Sequence, residues 1–229
     1  MRLAILSDIH EDYENLLKIV GKAEARGFDK LICLGDISGF SLPYYKYEDS
    51  RNASACLTLL REKCDIIIAG NHDLHAAGLS PELPEEMKAQ ETWQHEEDLD
   101  PGYSEEEISF LATLPSHAIL PTPAGNILFS HYVYPNLSGF VKGFYYEARE
   151  FQEHFAFMQE RKCKLCFTGH AHPGGFYRVH PGDFKLYRNR GIRISSFPAL
   201  IGIPSATRHE QRSRFCIFDT NSLRLKVLR

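Results

Sequence analysis

The sequence predicts one α/β domain that contains two β-sheets. Its first 70 residues alternate short apolar segments with helical patterns, the order expected of a parallel sheet with right-handed crossovers. From about residue 115 onward, strand-like apolar segments follow one another with a single helical interruption. The composition is that of a globular protein, since 43% of the 229 residues are hydrophobic and 24% are charged. These features favour a single domain over residues 1–229.

The first part of the chain is expected to form three strands separated by two helices. Asp12 is a suitable N-cap for the first helix, in which Leu16 and Val20 fall on one face, and Gly27 would end it. The expected segments, in chain order, are the strand Leu3–Leu6, a helix from Asp12 to about Arg26, the strand Lys30–Leu34, a helix near Arg51–Glu62 and the strand Asp65–Ala69.

An acidic, irregular insertion is expected at about residues 78–103. This stretch carries three prolines, and the segment between Glu82 and Glu107 holds 11 Asp or Glu against one lysine. Short helices and loops with solvated acidic side chains fit that composition. Ser104, followed three residues later by Glu107, forms a capping box that would open a helix to about Leu114.

Eight strands and one helix are expected after residue 115. The helix, at about Tyr146–Met158, places Phe151, Phe155 and Met158 at core spacing. The expected strands are His117–Leu120, Asn126–Ser130, Lys164–Thr168, Phe176–His180, Phe184–Arg188, Ile192–Ser196, Phe215–Asp219 and Leu223–Leu228. So many strands require a second sheet.

Charge, hydropathy and cysteine usage exclude several classes of protein. A net charge of −4 gives no general basic field for nucleic acid or an anionic membrane. No apolar run approaches the roughly 20 residues that span a bilayer. The N-terminus reaches Asp8 too soon for a signal peptide, so a cytoplasmic protein is expected. The six scattered cysteines are expected to be free thiols, including the pair Cys163-x-x-Cys166.

Five predicted strands end in polar residues of the kinds that bind metals. These residues are Asp8, His10, Asp36, Asn71, His131, His170 and His172, with His72 and Asp73 directly after Asn71. Each pattern is weak when taken alone, and their joint occurrence is what indicates a site. Since ligands bind at the carboxyl ends of strands in parallel α/β sheets, we expect convergence at one edge of one sheet. Gly70 is expected to let the backbone turn sharply there.

The ligand types also indicate which metal is bound. Two Asp, one Asn and four His without a thiolate suit borderline divalent ions rather than Ca²⁺. Mn²⁺ is the leading candidate, and Fe²⁺, Zn²⁺, Ni²⁺ and Co²⁺ are alternatives. Seven side chains are too many for one ion. Two ions that share one carboxylate would each receive about four protein ligands and keep positions for water.

The order of these motifs resembles that of the calcineurin-like metallophosphoesterases. The chain carries D-x-H, G-D, G-N-H-D, H and G-H-x-H, each after an apolar strand, and the resemblance covers nearly the whole sequence. It implies a four-layer αββα sandwich of two mixed β-sheets. It also implies that the protein is a metal-dependent hydrolase of phosphoric esters.

The resemblance further implies a role for each residue. One ion would be held by Asp8, His10, Asp36 and His172. The other would be held by Asp36, Asn71, His131 and His170, with Asp36 bridging the two. His72 would lie beside the ions without binding them, as the acid for the leaving oxygen or as a transition-state donor. Asp73 would orient His72.

The expected reaction is direct hydrolysis by a hydroxide that bridges the two ions. Phosphoprotein phosphatases of this superfamily carry G-D-x-x-D-R-G and R-G-N-H-E, whose arginines grip a phosphate dianion. This chain has GDISGF and AGNHDL instead. It therefore resembles more closely the small bacterial and archaeal phosphodiesterases and diadenosine tetraphosphatase-like enzymes. The alternatives are a phosphomonoesterase, a dinucleoside polyphosphate hydrolase and a non-catalytic scaffold, which would be expected to lack some of the ligands.

The expected partner is a small phosphorylated substrate rather than a membrane or nucleic acid. The loops 40–47, 132–144 and 173–176 should line its pocket, and their aromatic side chains either stack on the substrate or pack on one another. Arg208, Arg212 and Arg214 are candidates to bring positive charge to a phosphate, but solvation at the surface is the favoured expectation for them. The chain also has His10-Glu11-Asp12 where this branch often has H-G-N, and SSFP at 195–198 where it often has N-P-G-S.

Overall fold

The architecture is given by a computed structural model that describes residues 1–188, 191–207 and 214–229. Within these residues the strands are β1 (Arg2–Leu6), β2 (Lys30–Cys33), β3 (Ile66–Ile67), β4 (His117–Leu120), β5 (Asn126–Ser130), β6 (Cys163–Thr168), β7 (Phe176–His180), β8 (Asp183–Tyr187), β9 (Gly191–Arg193), β10 (Ala199–Gly202), β11 (Phe215–Asp219) and β12 (Arg224–Leu228). They form two mixed six-stranded sheets, in the orders β3-β2-β1-β11-β12-β9 and β4-β5-β6-β10-β7-β8.

The helices lie between and outside these strands. They are α1 (Tyr13–Arg26), α2 (Ala53–Lys63), α3 (Asn71–Ala76), α4 (Glu105–Ala112) and α5 (Gln152–Glu160), with 3₁₀ turns at Glu48–Ser50, Glu85–Met87 and Ala148–Phe151. Both predicted caps are present, since Asp12 accepts a hydrogen bond from the Asn15 N–H and Ser104 accepts one from the Glu107 N–H. No helix in the described part of the chain is long and apolar enough to cross a membrane.

The alternating side chains of β1 join two separate cores. Leu3 and Ile5 pack between the two sheets together with Phe167 of β6. Ala4 and Leu6 point the other way and pack with residues of α1 and α2. Successive side chains of a strand point to opposite faces of the sheet. A strand that is buried on both faces, such as β1, therefore needs apolar residues at consecutive positions.

The second sheet has the same arrangement. Ile127 and Phe129 of β5 pack between the sheets, whereas Leu128 packs in a cluster with Phe155 and Met158 of α5. Helices therefore cover the outer face of each sheet, and the layers follow the order αββα, which confirms the predicted fold class.

Three local features differ from the sequence-based expectation. Of the strand predicted at Asp65–Ala69, only β3 (Ile66–Ile67) pairs regularly with its neighbour. The Ala69 N–H donates instead to the Pro115 carbonyl, at 3.0 Å. Helix α3 begins directly after Gly70 and was not predicted. Strand β10 was not predicted either, although it pairs in parallel with β6 on the side opposite to β5.

The cysteines are free thiols, as expected, and five of the six are buried. Cys163 and Cys166 of β6 belong to the apolar cluster beneath α5. Burial raises the pKa of the Cys166 thiol, which keeps it protonated at neutral pH. The spacing of Cys163 and Cys166 is therefore explained by their packing in this apolar cluster.

Candidate metal centre

The seven predicted ligands lie where the carboxyl ends of both sheets meet. The first sheet contributes Asp8, His10, Asp36 and Asn71, and the second contributes His131, His170 and His172. The expectation that one sheet would carry the whole site was wrong. The two sheets are joined at this edge by the His170 N–H, which donates to Oδ1 of Asp8 at 3.1 Å.

One cluster of candidate ligand atoms consists of Asp8, His10 and His172. Nε2 of His10 lies 3.2 Å from Nε2 of His172, and Nε2 of His172 lies 3.1 Å from Oδ1 of Asp8. Asp8 and His10 are almost fully buried. Three potential ligand atoms within 4.8 Å of one another form a candidate site for a cation.

A second cluster consists of Asp36, His131 and His170. Nε2 of His131 lies 3.2 Å from Oδ2 of Asp36 and 3.2 Å from Nδ1 of His170. Asp36, His10 and His72 also have ligand atoms within 4.8 Å of one another. Asp36 therefore stands between the two clusters, which is the position that a bridging carboxylate requires.

Hydrogen bonds behind the ligands fix which nitrogen faces each cluster. Nδ1 of His10 is 3.1 Å and 3.0 Å from the carbonyl oxygens of Ser38 and Gly39. Nδ1 of His131 is 2.7 Å from the carbonyl oxygen of Leu34. A carbonyl can only accept, so Nδ1 carries a proton in both rings and Nε2 is the nitrogen that is available to a metal. This is the arrangement of metal-binding histidines.

Five of the seven ligands have a left-handed backbone. Their φ angles are 59° at Asp8, 49° at His10, 53° at Asp36, 62° at His170 and 40° at His172. Such conformations are costly for residues other than glycine and cluster at functional sites. The backbone is held there by hydrogen bonds such as that from the Asp8 N–H to the Gly35 carbonyl at 2.9 Å.

The site's own charges set the protonation of the ligands. Burial lowers the pKa of His10 and of His170 to about 3, so both rings are neutral at pH 7. Burial acts in the same direction on His131, but the neighbouring Asp36 carboxylate raises its pKa to about 9. Burial would raise the pKa of Asp8, yet the charge and hydrogen bond of His172 lower it to about 2. A cation therefore competes with a proton on His131.

Gly70 is required for space rather than for a sharp turn, which corrects the sequence-based expectation. Its φ of −94° and ψ of 178° are ordinary extended values. A Cβ at this position would overlap Oδ1 of Asp36 and lie 2.6 Å from the Asp36 nitrogen. Only glycine allows the third strand end to approach the Asp36 carboxylate so closely.

His72 lies at the first cluster, with its ring centroid 5.1 Å from that of His10. The role predicted for Asp73, orienting His72, is not supported by its contacts. The carboxylate of Asp73 accepts hydrogen bonds from four backbone N–H groups, those of Asp36, Ile37, Ser38 and Gly70. Asp73 therefore holds the loop that carries Asp36 against the start of α3.

The carboxylate at His72 belongs to Asp98, in the acidic insertion. Nδ1 of His72 lies 2.5 Å from Oδ2 of Asp98. Burial lowers the pKa of His72, but the charges of Asp36 and Asp98 and the hydrogen bond to Asp98 raise it above its ordinary value. Nothing in the acidic run singled out Asp98, because its partner is 26 residues away in sequence.

Comparison with known proteins identifies the family. The sequence model of the calcineurin-like phosphoesterases matches residues 1–174, which include every predicted ligand. The chain belongs to the calcineurin-like phosphoesterase family. Members generally depend on two metal ions, and the two clusters are the candidate sites for them here.

Individual proteins are similar to this chain over almost its whole length, one in sequence and two in structure. An uncharacterised protein of Methanocaldococcus jannaschii is 24% identical over 245 residues, covering 99% of this chain and 86% of that protein. The crystal structure of a metallophosphoesterase from Sphaerobacter thermophilus is similar with a TM-score of 0.73 at 21% identity, covering 99% of this chain and 86% of that one. A hypothetical protein from Pyrococcus horikoshii has a TM-score of 0.65 at 14% identity, with the same 99% and 86% coverage.

A cavity of about 660 Å³ lies over the candidate metal ligands. Residues 91–98, here called the roof segment, form one wall. The other walls come from the predicted loops 40–47 and 132–144 and from the metal clusters themselves, whereas residues 173–176 do not line it. A volume of this size accommodates a small organic phosphate ester.

The cavity walls are acidic and aromatic. The acidic residues that line it are Glu91, Glu96, Glu97 and Asp98, and the aromatic ones outside the clusters are Tyr44, Tyr45, Trp93 and Phe144. The cation that lines it, Lys142, is paired with Glu91 at 2.6 Å. The walls described by the structure therefore carry a net negative charge.

The remaining candidate contacts lie elsewhere. Tyr47, Tyr132, Tyr134 and Tyr145 pack in interior clusters rather than against the cavity. Arg214 is buried and donates to the Gly174 carbonyl at 2.9 Å. Arg208 and Arg212 lie outside the described residues.

Proposed function

We propose that this chain hydrolyses phosphodiester bonds by means of two divalent ions, with Mn²⁺ as the leading candidate. The proposal is carried by the two buried clusters of ligand atoms that meet at Asp36. Three further buried atoms have no hydrogen-bond partner among the described residues, namely Oδ2 of Asp8, Oδ1 of Asn71 and Nε2 of His170. A buried polar atom without a partner is costly, and two of these are oxygens that a divalent ion would satisfy.

We assign one ion to Asp8, His10, Asp36 and His172, and the other to Asp36, Asn71, His131 and His170. When bound, such a pair of ions activates water near neutral pH and offsets negative charge on the phosphoryl oxygens. Asp36 is kept in place for its shared role by the backbone N–H of His72, which donates to its Oδ1 at 3.1 Å. His72 donates the proton that the leaving oxygen takes up.

Charge favours a diester over the alternatives. A monoester dianion or a dinucleoside polyphosphate would bring more negative charge towards four acidic side chains and a lysine that is already paired. A diester carries one negative charge on its phosphoryl oxygens, and its binding does not require a pair of arginines. The same walls disfavour nucleic acid, whose binding depends on cationic side chains.

The aromatic walls favour a substrate with a ring. The Tyr44 side chain is 56% exposed and that of Phe144 is 37% exposed, on the same cavity as Trp93. Faces of this kind stack on an aryl group or a base, at about 1–3 kcal/mol per base where this has been measured with single-stranded nucleic acids. We therefore propose a small phosphodiester that carries an aromatic group.

The test is turnover of two matched esters by purified protein that has been stripped with a chelator. Bis(nitrophenyl) phosphate and nitrophenyl phosphate are each offered with and without added Mn²⁺. We expect Mn²⁺-dependent turnover that is faster for the diester. Faster turnover of the monoester would support a phosphomonoesterase, and no turnover of either ester by protein with two bound ions would support a scaffold.

A further inference from the structure

Apart from its contact with His10, the imidazole of His72 is enclosed by groups outside the two metal clusters. Oδ2 of Asp98 lies 2.5 Å from its Nδ1, and the ring of His95 packs against it edge-on with centroids 4.5 Å apart. On another side, a Cβ added at Gly39 would overlap the His72 ring. The ring therefore has little freedom to rotate, and Nδ1 is committed to Asp98.

We propose that Asp98 is a positioning residue for His72, an inference that rests on the proposed phosphodiesterase function. The Asp98 carboxylate accepts the Nδ1–H of His72, which leaves Nε2 as the nitrogen that serves the leaving group. In the proton transfer, the bond between phosphorus and the leaving oxygen breaks and its electron pair goes to that oxygen. The Nε2–H bond breaks and an O–H bond forms on the leaving oxygen. Nδ1 keeps its proton, which remains hydrogen-bonded to the Asp98 carboxylate. Water later returns a proton to Nε2.

Asp98 is itself fixed by its surroundings. The same Oδ2 lies 3.4 Å from Nδ1 of His95, whose side chain is 2% exposed. The backbone of Asp98 pairs with Ser41 in an isolated bridge, and its N–H donates to the His95 carbonyl at 3.0 Å. A carboxylate held at both backbone and side chain can hold a histidine in one orientation.

The chain just after Asp98 is tied to the loop that follows β2. The Leu99 N–H donates to the Phe40 carbonyl at 2.8 Å. Nη2 of Arg51 donates to the carbonyl oxygens of Leu99, at 3.3 Å, and of Asp100, at 2.5 Å. These bonds place the end of the roof segment over the metal clusters.

Glu11 completes this connection. Its Oε2 accepts a hydrogen bond from Nε of Arg51 at 2.6 Å, and its Oε1 accepts from the backbone N–H groups of Gly39 and Phe40 at 3.1 Å and 3.2 Å. Glu11 is fully buried and stands where the H-G-N pattern has a glycine. This departure from the pattern therefore links the first metal motif, through Arg51, to the segment that supplies Asp98.

The decisive measurement compares leaving groups. Diesters with a nitrophenol and with an alkyl alcohol as leaving group are hydrolysed by the Mn²⁺-loaded wild type, Asp98→Ala, Asp98→Asn and the control Glu86→Ala, which removes an exposed carboxylate of the same insertion outside the cavity. We expect Asp98→Ala to lose about 10²-fold on the alkyl ester and much less on the nitrophenyl ester, because nitrophenolate leaves without a proton. Asp98→Asn keeps an oxygen acceptor and should lose less than Asp98→Ala. Glu86→Ala should leave the ratio of the two rates unchanged. Equal losses on both esters would overturn the proposal.

A second readout does not depend on turnover. In metal-free protein, the Nδ1–H proton of His72 should give a downfield NMR signal that is present in the wild type and Glu86→Ala and absent in Asp98→Ala. A signal that persists in Asp98→Ala would overturn the proposal, as would a third ion bound by wild type through His72, His95 and Asp98. If the wild type hydrolyses no diester, the proposed function fails, and the signal still decides whether Asp98 holds His72.

Discussion

The two sides of the cavity are built in different ways. The metal side consists of strand ends from both sheets, where Asp8, His10 and His131 are at most 1% exposed. The roof side belongs to an insertion whose regular structure is one 3₁₀ turn, Glu85–Met87, within residues 78–103. It is held by a few backbone bridges, including Thr92 with Val141 and Ser41 with Asp98.

This difference separates two properties of the site. Ligand positions depend on strand pairing, so changing them requires disturbing the fold. The orientation of His72 and the charge of the cavity depend on the insertion, whose sequence can change while the sheets persist. We therefore expect variants on the metal side to lose ions and variants on the roof side to alter proton transfer while ions remain bound.

The largest effect should come from Asp36→Asn. Loss of the bridging charge should weaken the binding of both ions. Turnover should therefore fall by more than the roughly 10–100-fold that is lost when a group hydrogen-bonded to a metal ligand is mutated. Metal content per chain after dialysis, measured beside diester turnover, checks this. Asp8→Asn is the matched control, because it should weaken one ion only. An Asp36→Asn protein that still holds two ions tightly would rule out the bridging role.

Arg51→Met should have the next largest effect, because Arg51 holds the end of the roof segment in place. The fully buried Glu11 carboxylate would lose its charged partner, and we expect the free energy of unfolding to fall by about 1–3 kcal/mol. Two ions should remain bound, while turnover of the alkyl diester falls more than that of the nitrophenyl diester. Arg61→Met removes an exposed ion pair with Glu106 and should cost less than about 1 kcal/mol. Loss of metal from Arg51→Met would contradict the separation of the two sides.

Proton release should accompany metal binding. In metal-free protein the pKa of His131 is raised to about 9, so this ring is protonated at pH 7 and must lose its proton to bind a cation. Affinity for Mn²⁺ should therefore rise with pH up to about 9 and then level off. Calorimetric titration in buffers of different ionisation enthalpy measures the protons released. An affinity that does not change between pH 7 and pH 9 would contradict this charge on His131.

The smallest effect should come from Gly21→Ala on the outer surface of α1. A Cβ there would meet no atom within 4 Å, and alanine should raise the free energy of unfolding by about 0.5–1 kcal/mol with no change in turnover. Gly70→Ala is the informative opposite, since its Cβ would overlap Asp36 and should displace the bridging ligand. Thermal unfolding and metal content of the two variants distinguish these outcomes. A Gly70→Ala protein that retained both ions would show that the loop can move away.

The metal side could be predicted because its signal is local in sequence. Each ligand follows an apolar strand, and β5, for example, was predicted with the bounds it has. What the sequence could not give was the sharing of the site between two sheets. The sharing depends on how the ends of β1 and β6, which belong to different sheets, are placed against each other. No local sequence pattern indicates this placement.

The roof side could not be predicted for a related reason. Asp98 is one of 11 acidic residues between Glu82 and Glu107, and only its approach to His72 distinguishes it. Asp73, next in sequence to His72, was the obvious candidate, but four backbone N–H groups already satisfy it. Strand β10 was missed because it follows Pro198 directly, ends in Gly202, and has all four of its residues buried, so that it shows no alternation.

The central claim is that the strand ends bind the metals while His72, held by the roof, serves only proton transfer. It is tested most directly by measuring Mn²⁺ content and diester turnover of His72→Ala beside the wild type. We predict two ions per chain in both proteins and a fall in turnover of about 10²–10⁴-fold in the variant. Loss of bound Mn²⁺ together with turnover would make His72 a ligand and would contradict the account.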